Sequence, residues 1–396
     1  MSDSRPFPFG VAADSSDEHV DERGPDTLNR LLLHGARYHD RAELFLDWEK
    51  GRRTGWGWQG TPDWRADRSA IRTALVLRQR LQVGGGETVA LWFPLSREWA
   101  YVERGCWSIG AISVPVWPEW DLRRVGEVLA DASPQVLFAP DIESLNALKL
   151  TGGLPESVRA TILMGGPTDP EEESLPFEKL MDYGSVLDTP ERASMWRTSA
   201  REAEPGDVVA FEYAETGLDR REVDHRVLVR VIESVLRRFP PARGRVRVLA
   251  DERPEMLSRA ILYACWADGL SRAAFATSAE AAGRVAELEP ELVVCREGMV
   301  TSFLRAIEAR RKENRHVASE RKRLLGLFGA GGRNGKAAAR TGAAADDGGH
   351  GGGAGPICFV IADRSEVGPE LAARVTGAAR FVSRSALDVD AELEVL

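Results

Sequence analysis

The sequence predicts an α/β protein made of two βαβ-type subdomains with mainly parallel sheets. Short, apolar, β-branched runs alternate with runs of helical periodicity, the pattern left by parallel strands joined through helices. A looser acidic segment with several prolines, from Gly165 to about Pro205, divides this alternation into two groups. No repeat of fixed period is present, which excludes a solenoid.

Residues 1–25 are rich in Asp, Glu, Ser and Pro, have little to bury, and read as a disordered acidic N-terminus. The first subdomain spans 26–205. It opens with a helix carrying Leu28, Leu31, Leu32 and Ala36 on one face, with Asp26 at the N-cap position. Aromatic segments broken by glycine between 41 and 60 predict a small hairpin, and a second helix runs from about Trp64 to Leu81. Strands follow at Glu87–Phe93, Ala111–Trp117, Gln135–Ala139 and Ala160–Met164, with helices at Arg97–Ile109 and Leu122–Ala132.

The second subdomain, 206–327, has strands at Asp207–Tyr213, Arg245–Ala250, Ala273–Ala276 and Leu292–Cys295. Its helices fall near Glu222–Arg238, Pro254–Ala267 and Ser278–Leu288. Pro254 suits a first turn, and Thr277 with Glu280 has capping-box spacing. A long basic helix covers about 300–327 and a Gly/Ala-rich flexible linker 328–355. Residues 356–396 return to the second subdomain, starting with a strand at Pro356–Ala362.

The 396 residues are enough for two or three cores, and 43% apolar with 29% charged residues is ordinary globular composition. A net charge of -9 argues against nucleic acid as a partner, because phosphate backbones call for a basic face. The four cysteines lie far apart, which gives no disulfide or zinc framework and suits a reducing compartment. The N-terminus has no apolar core of a signal peptide, and no stretch of about 18 apolar residues exists to span a bilayer. A cytoplasmic protein is expected.

Few segments carry chemistry. Gly84–Gly86 stands after a helix and before a strand, the reverse of a phosphate loop, and reads as a helix stop. His34 and His39 are five apart and share no helix face for zinc. No catalytic or metal-binding residue is assigned. The basic helix at 300–327 is expected to present a solvated face, with peripheral membrane contact as the alternative. The remaining candidate is Tyr213–Glu222, where a buried strand precedes a turn and a helix. Thr216 offers a hydroxyl, Gly217 a close backbone approach, and Arg220 or Arg221 a cation for phosphate. Glu212, Glu215, Asp219 and Glu222 place negative charge in the same segment, so an ordinary βα turn is the competing reading.

At this loop the layout resembles the N-terminal part of AMP-forming acyl-CoA synthetases, the adenylate-forming enzymes, and above all the long-chain fatty-acid type. The resemblance is carried by TLNRLLLHGARYHDRAELF, by GETVALWFPLSREWAYVERGCWSIGAISVPVWPEW and by the strand QVLFA. GDVVAFEYAETGLDRREVDHRVL stands where that family has T-S-G-T-T-G-x-P-K-G followed by T-H-R-N-L. Tyr213, Thr216, Gly217, His225 and Leu228 fit the frame, but no Pro-Lys-Gly follows. In EMLSRAILYACWADG, Arg259 and Gly269 match the H-x-x-E-R segment, while Glu255 replaces its histidine and Ser258 its glutamate. Arg296 is kept, and Ala362–Ser365 stand where the family builds part of its adenine pocket.

The resemblance implies the fold of the large N-terminal domain of adenylate-forming enzymes, without their small C-terminal domain. It covers the framework well and the catalytic motifs poorly. Two functions follow as expectations. The first is a non-catalytic protein, a pseudoenzyme that binds a protein partner or a fatty acyl ligand. The second is an active fatty-acid-adenylating ligase that uses ATP and Mg and is completed by a separate C-terminal domain. In both, Thr216, Gly217, Arg220 and Arg221 mark the degenerate phosphate loop.

Overall fold

The computed structural model describes residues 25–38, 43–51, 55–166, 174–215, 217–240, 244–296, most of 298–317, 357–361 and 379–382. The expected disordered N-terminus, the linker at 328–355 and the segment Ala362–Ser365 lie outside the described residues.

In chain order the strands are β1 (Phe45–Gly51), β2 (Gly55–Thr61), β3 (Thr88–Leu91), β4 (Ile112–Pro115), β5 (Val136–Ala139), β6 (Ala160–Leu163), β7 (Leu175–Pro176), β8 (Val208–Tyr213), β9 (Arg220–Asp224), β10 (Val246–Leu249), β11 (Arg272–Phe275), β12 (Leu292–Cys295), β13 (Ile357–Ile361) and β14 (Ala379–Val382). The helices are α1 (Leu28–Tyr38), α2 (Asp63–Leu75), α3 (Arg97–Trp107), α4 (Leu122–Ala132), α5 (Ile142–Leu150), α6 (Phe177–Leu187), α7 (Pro190–Glu202), α8 (His225–Arg238), α9 (Met256–Asp268) and α10 (Ala279–Arg284). Residues 298–306 are also helical.

The strands form two seven-stranded sheets, β7-β6-β5-β3-β4-β8-β9 and β14-β13-β12-β10-β11-β1-β2. All pairings are parallel except the hairpins β1–β2 and β8–β9, so the chain has the predicted α/β class. Both faces of each sheet are covered, which is why the strands read as unbroken apolar runs. The side-chain period of two then sorts them. Val89, Val136 and Phe138 point into a core shared with Leu249, Phe275 and Val294 of the other sheet, and α1, α2, α3, α8 and α9 fill the space between. Ala90, Leu137 and Ala139 face outward under α4 and α5. Val246, Val248 and Val293 face outward under α10 and the helix at 298–306. The result is five alternating layers.

The boundary expected at 205–206 does not separate the two sheets. The early hairpin β1–β2 pairs with β11, and β8–β9, from the later half, complete the β3–β7 sheet. The segment 165–205, expected to be loose, contains α6 and α7. Their apolar faces are short, Phe177 and Leu180 on one and Ala193, Trp196 and Ala200 on the other, but each finds a core. Trp196 also donates its indole N–H to Ser108 Oγ at 2.7 Å.

Helix starts follow side-chain chemistry. Ser96, Asp121, Asp141, Thr189, Asp224 and Ser278 each accept the backbone N–H three residues on, at about 1 kcal/mol apiece. Three expected starts are corrected. Thr27, not Asp26, takes the Arg30 N–H at α1, leaving Asp26 to pair with the Arg30 guanidinium. Ser278, not Thr277, caps α10 because its hydroxyl meets the Ala281 N–H at 3.1 Å. Pro254 precedes α9 rather than entering its first turn.

His225 opens α8 and is 2% exposed. Its Nδ1 accepts the Leu28 N–H at 3.2 Å, so it also caps the start of α1, and the neutral ring must carry its proton on Nε2. Burial pushes its pKa down to about 4 from the ordinary 6.5. Between those values an unfolded chain takes up a proton that the folded chain refuses. Stability is therefore full above about pH 7 and falls as pH drops toward 4, by about 3 kcal/mol at most. Urea unfolding across pH 4–7.5 should show this loss, and His225→Asn, which keeps an acceptor but does not titrate, should flatten it.

Candidate functional site

In open parallel sheets a crevice forms where neighbouring strands send their connections to opposite faces, outside the carboxyl ends. Here β3 leads into α3 in the middle layer and β4 into α4 on the outside. In the second sheet β10 leads into α9 in the middle and β11 into α10 outside. The segments after β4 and β10 meet across this crevice, together with Arg296 after β12.

The segment after β8 lies at the same end. The expected helix at Glu222 is replaced by β9, which pairs antiparallel with β8, and the helix starts only at His225. The reason is local. Val223 is the one fully buried side chain in Arg220–Asp224, and the helical stripe of Val227, Leu228, Val231 and Ile232 begins only beyond the Asp224 cap. A register shift between Val208 and Ala210 marks a bulge. The Val209 carbonyl there accepts Trp107 Nε1–H at 3.1 Å and Ser113 Oγ–H at 3.0 Å.

Three of the four expected phosphate-loop residues, Gly217, Arg220 and Arg221, are among the described residues. Gly217 is exposed, with φ +78°, a left-handed turn position suited to glycine. Arg220 and Arg221 are strand residues rather than loop residues. Arg220 pairs with Asp131 and Glu222, both at 3.6 Å, and lies over the Phe211 ring at 4.5 Å. Arg221 is exposed and in register with Glu212. Thr216 lies outside the described residues.

The crevice itself holds a charge cluster. Arg253, 5% exposed, meets Asp251 at 2.6 Å, Glu255 at 3.3 Å and Glu119 at 3.6 Å. Arg296 reaches Glu119 at 2.6 Å and Asp251 at 3.2 Å. Burial opposes the charged form of Asp251, but hydrogen bonds and charge from Arg253, helped by Arg296, hold its carboxyl below the ordinary value. Two stacked indoles continue the cluster. Arg253 lies over Trp117 at 5.3 Å, Trp117 stacks on Trp120 at 5.2 Å, and Arg124 lies over Trp120 at 4.9 Å.

Beneath the crevice, in the middle layer, Glu103 of α3 and Arg259 of α9 are both fully buried and paired. Glu103 also accepts Trp99 Nε1–H at 2.9 Å and Tyr263 O–H at 2.6 Å, and at 3.1 Å it shares the single Ser113 hydroxyl hydrogen with the Val209 carbonyl. Arg259 pairs in addition with Glu212 of β8. Burial pushes the Tyr263 phenol well above its ordinary value, so it remains a donor to the carboxylate.

The resemblance implies ATP with magnesium, and the described residues of the turn, which exclude Thr216, do not fit that group. A triphosphate needs several consecutive inward N–H groups and cations free to meet it. The described part of the turn has one glycine and two exposed carboxylates, Glu215 and Asp219, and Arg220 is already engaged. Among the described residues no group of three or more His, Cys, Asp or Glu side chains could hold a metal ion.

Of the other sequence-matched positions, Arg259 and Arg296 take part in these networks. Glu255 is an ion-pair partner of Arg253, and Gly269 ends α9 in the left-handed conformation. Sequence reading missed Glu103, Trp117, Glu119, Trp120, Arg124, Asp251 and Arg253. Glu103 had a legible signal: it lies between Trp99 and Trp107 at four-residue steps, in the middle of an apolar helix face.

Residues 65–214 match the model of the AMP-binding enzyme family. No curated protein matches the chain in sequence. Among solved structures, a fatty acyl CoA synthetase of Mycobacterium tuberculosis is similar at TM-score 0.55 and 15% identity, over 70% of this chain and 51% of that one. The N-terminal domain of FACL13 of the same organism is similar at TM-score 0.55 and 16% identity, over 70% and 64%. A luciferase-like enzyme from the nonluminescent mealworm Zophobas morio gives TM-score 0.57 and 15% identity, over 70% and 61%. The chain thus has the fold of the N-terminal domain of adenylate-forming enzymes and spans between half and two thirds of these relatives' length. Among the described residues no helix is long and apolar enough to cross a membrane.

Removing one partner of the buried pair strands the other's charge, which typically costs about 3–5 kcal/mol. Arg259→Met should lower stability by that order in urea unfolding. Adding Glu103→Gln to the same chain should recover part of the loss, because the stranded carboxylate is then gone.

Proposed function

We propose that the chain is a catalytically degenerate relative of AMP-forming acyl-CoA synthetases that works by binding a protein partner or a fatty acyl ligand. The family match over 65–214 and the shared fold support the ancestry. The observation that carries the non-catalytic part is the state of the crevice cations. Arg253 and Arg296 are matched by three of the chain's own carboxylates, Asp251, Glu119 and Glu255. Arg220 is likewise held by Asp131 and Glu222.

Adenylyl transfer relies on positive groups held ready for charge that develops in the transition state. Groups already paired must first be pulled from their partners, and that reorganisation is the cost a preorganised site avoids. A fold that keeps its layers while its crevice arginines are paired within the chain suits recognition better than turnover. Its apolar framework and rigid middle layer hold surfaces in place for a ligand or a partner.

Calorimetric titration with ATP, with and without magnesium, tests this reading together with pyrophosphate release in the presence of palmitate. The expected result is no magnesium-dependent binding and no pyrophosphate. Either one, fatty-acid-dependent pyrophosphate above all, overturns the reading in favour of an active ligase that uses ATP and Mg.

A further inference from the structure

Arg124 stands apart from the paired arginines of the crevice. It lies in the first turn of α4 and is 9% exposed. One terminal nitrogen donates to the Ala214 carbonyl oxygen at 2.7 Å, at the start of the turn after β8. Its Nε and its other terminal nitrogen are buried and find no acceptor among the described residues, and neither does the indole N–H of Trp120, over whose ring the guanidinium lies at 4.9 Å.

The carboxylates of its own helix have other duties, Glu127 pairing with Arg123 at 3.6 Å. Asp121 accepts the Arg124 backbone N–H at 2.8 Å as the cap of α4. Asp131 accepts the Tyr213 hydroxyl at 2.6 Å and pairs with Arg220. A permanently charged guanidinium is thus left nine-tenths buried with no counter-ion among the described residues, beside a second orphaned donor. Buried donors without acceptors are rare in folded proteins, and a buried charge without a partner is rarer. A water could take the hydrogen bonds but would leave the charge. An oxyanion answers both needs, and arginine's planar fork of N–H groups matches phosphate and carboxylate geometry.

We infer that Arg124 and Trp120 form an oxyanion-binding site at the base of the β8–β9 turn, taking a phosphate or carboxylate group without a metal ion. Trp117 and Trp120 are half-buried and Glu119 between them is exposed, so the site adjoins the open side of the crevice. It is separate from the degenerate triphosphate site, because its cation comes from α4 rather than from the turn or from β9.

The test uses the full chain in magnesium-free, nucleotide-free buffer at constant ionic strength, with sodium phosphate in one arm and sodium butyrate in the other. Thermal midpoint and calorimetric titration are read in both. The expected result is a rise in midpoint and saturable binding in at least one arm, which identifies the phosphate or the carboxylate as the source. Arg124→Met should abolish binding, and Trp120→Phe, which keeps the ring but loses the N–H, should weaken it roughly tenfold, the worth of one hydrogen bond to an ion. If Arg124→Met fails to fold, Trp120→Phe decides. Binding in neither arm, or binding unchanged in the variants that fold, overturns the inference. Because no nucleotide or magnesium is present, that failure leaves the non-catalytic reading standing, and pyrophosphate release in the earlier experiment would leave the anion site standing.

Discussion

The fully buried pair of Glu103 and Arg259 is the contact on which the arrangement of the two sheets depends. Glu103 comes from the helix between β3 and β4, Arg259 from the helix between β10 and β11, and Glu212 adds a strand of the first sheet. Three further donors converge on the Glu103 carboxylate. Apolar packing in the middle layer is non-directional and tolerates sliding. A carboxylate that accepts an indole, a phenol, a hydroxyl and a guanidinium tolerates little of it. The pair therefore acts on register more than on net stability, since desolvation consumes most of what a buried ion pair returns.

The crevice above it follows a related economy. Most of its cations are matched by acids within the chain, so the polar surface is complete without a ligand. Arg124 is the exception to this pattern, and it lies at the α4 end of the stacked indoles whose other end meets Arg253.

Much of the framework was legible because burial on both faces writes itself into sequence. Val89–Leu91, Val136–Ala139 and Leu292–Cys295 are apolar without interruption, and the structure places each as a strand near its expected bounds. Helices α6 and α7 were illegible for the opposite reason: they bury only two and three side chains amid charged neighbours, and tertiary contacts such as Arg72 with Asp188 supply the rest. Strand β9 was hidden because a lone Val223 gives no period. The site was less legible still. Glu103 and Arg259 are 156 positions apart, and no local pattern tells a carboxylate which distant arginine it will meet.

The exchange of hairpins between the sheets also bears on how the chain is made. Strand β1 leaves the ribosome well before its parallel partner β11, which lies more than two hundred residues further on. Until then Phe45 and Leu46 have only the glycine-rich β2 to pair with, and a lone hairpin is marginal in water. The first sheet also lacks its β8–β9 side until the second half has begun to emerge. The first sheet is complete only once Arg220–Asp224 has emerged and the second only once Ala379–Val382 has, so strand edges and apolar faces stay exposed while the residues between are made. Such long-range parallel pairing is intrinsically slow to form and leaves those edges open to the wrong partners in the meantime.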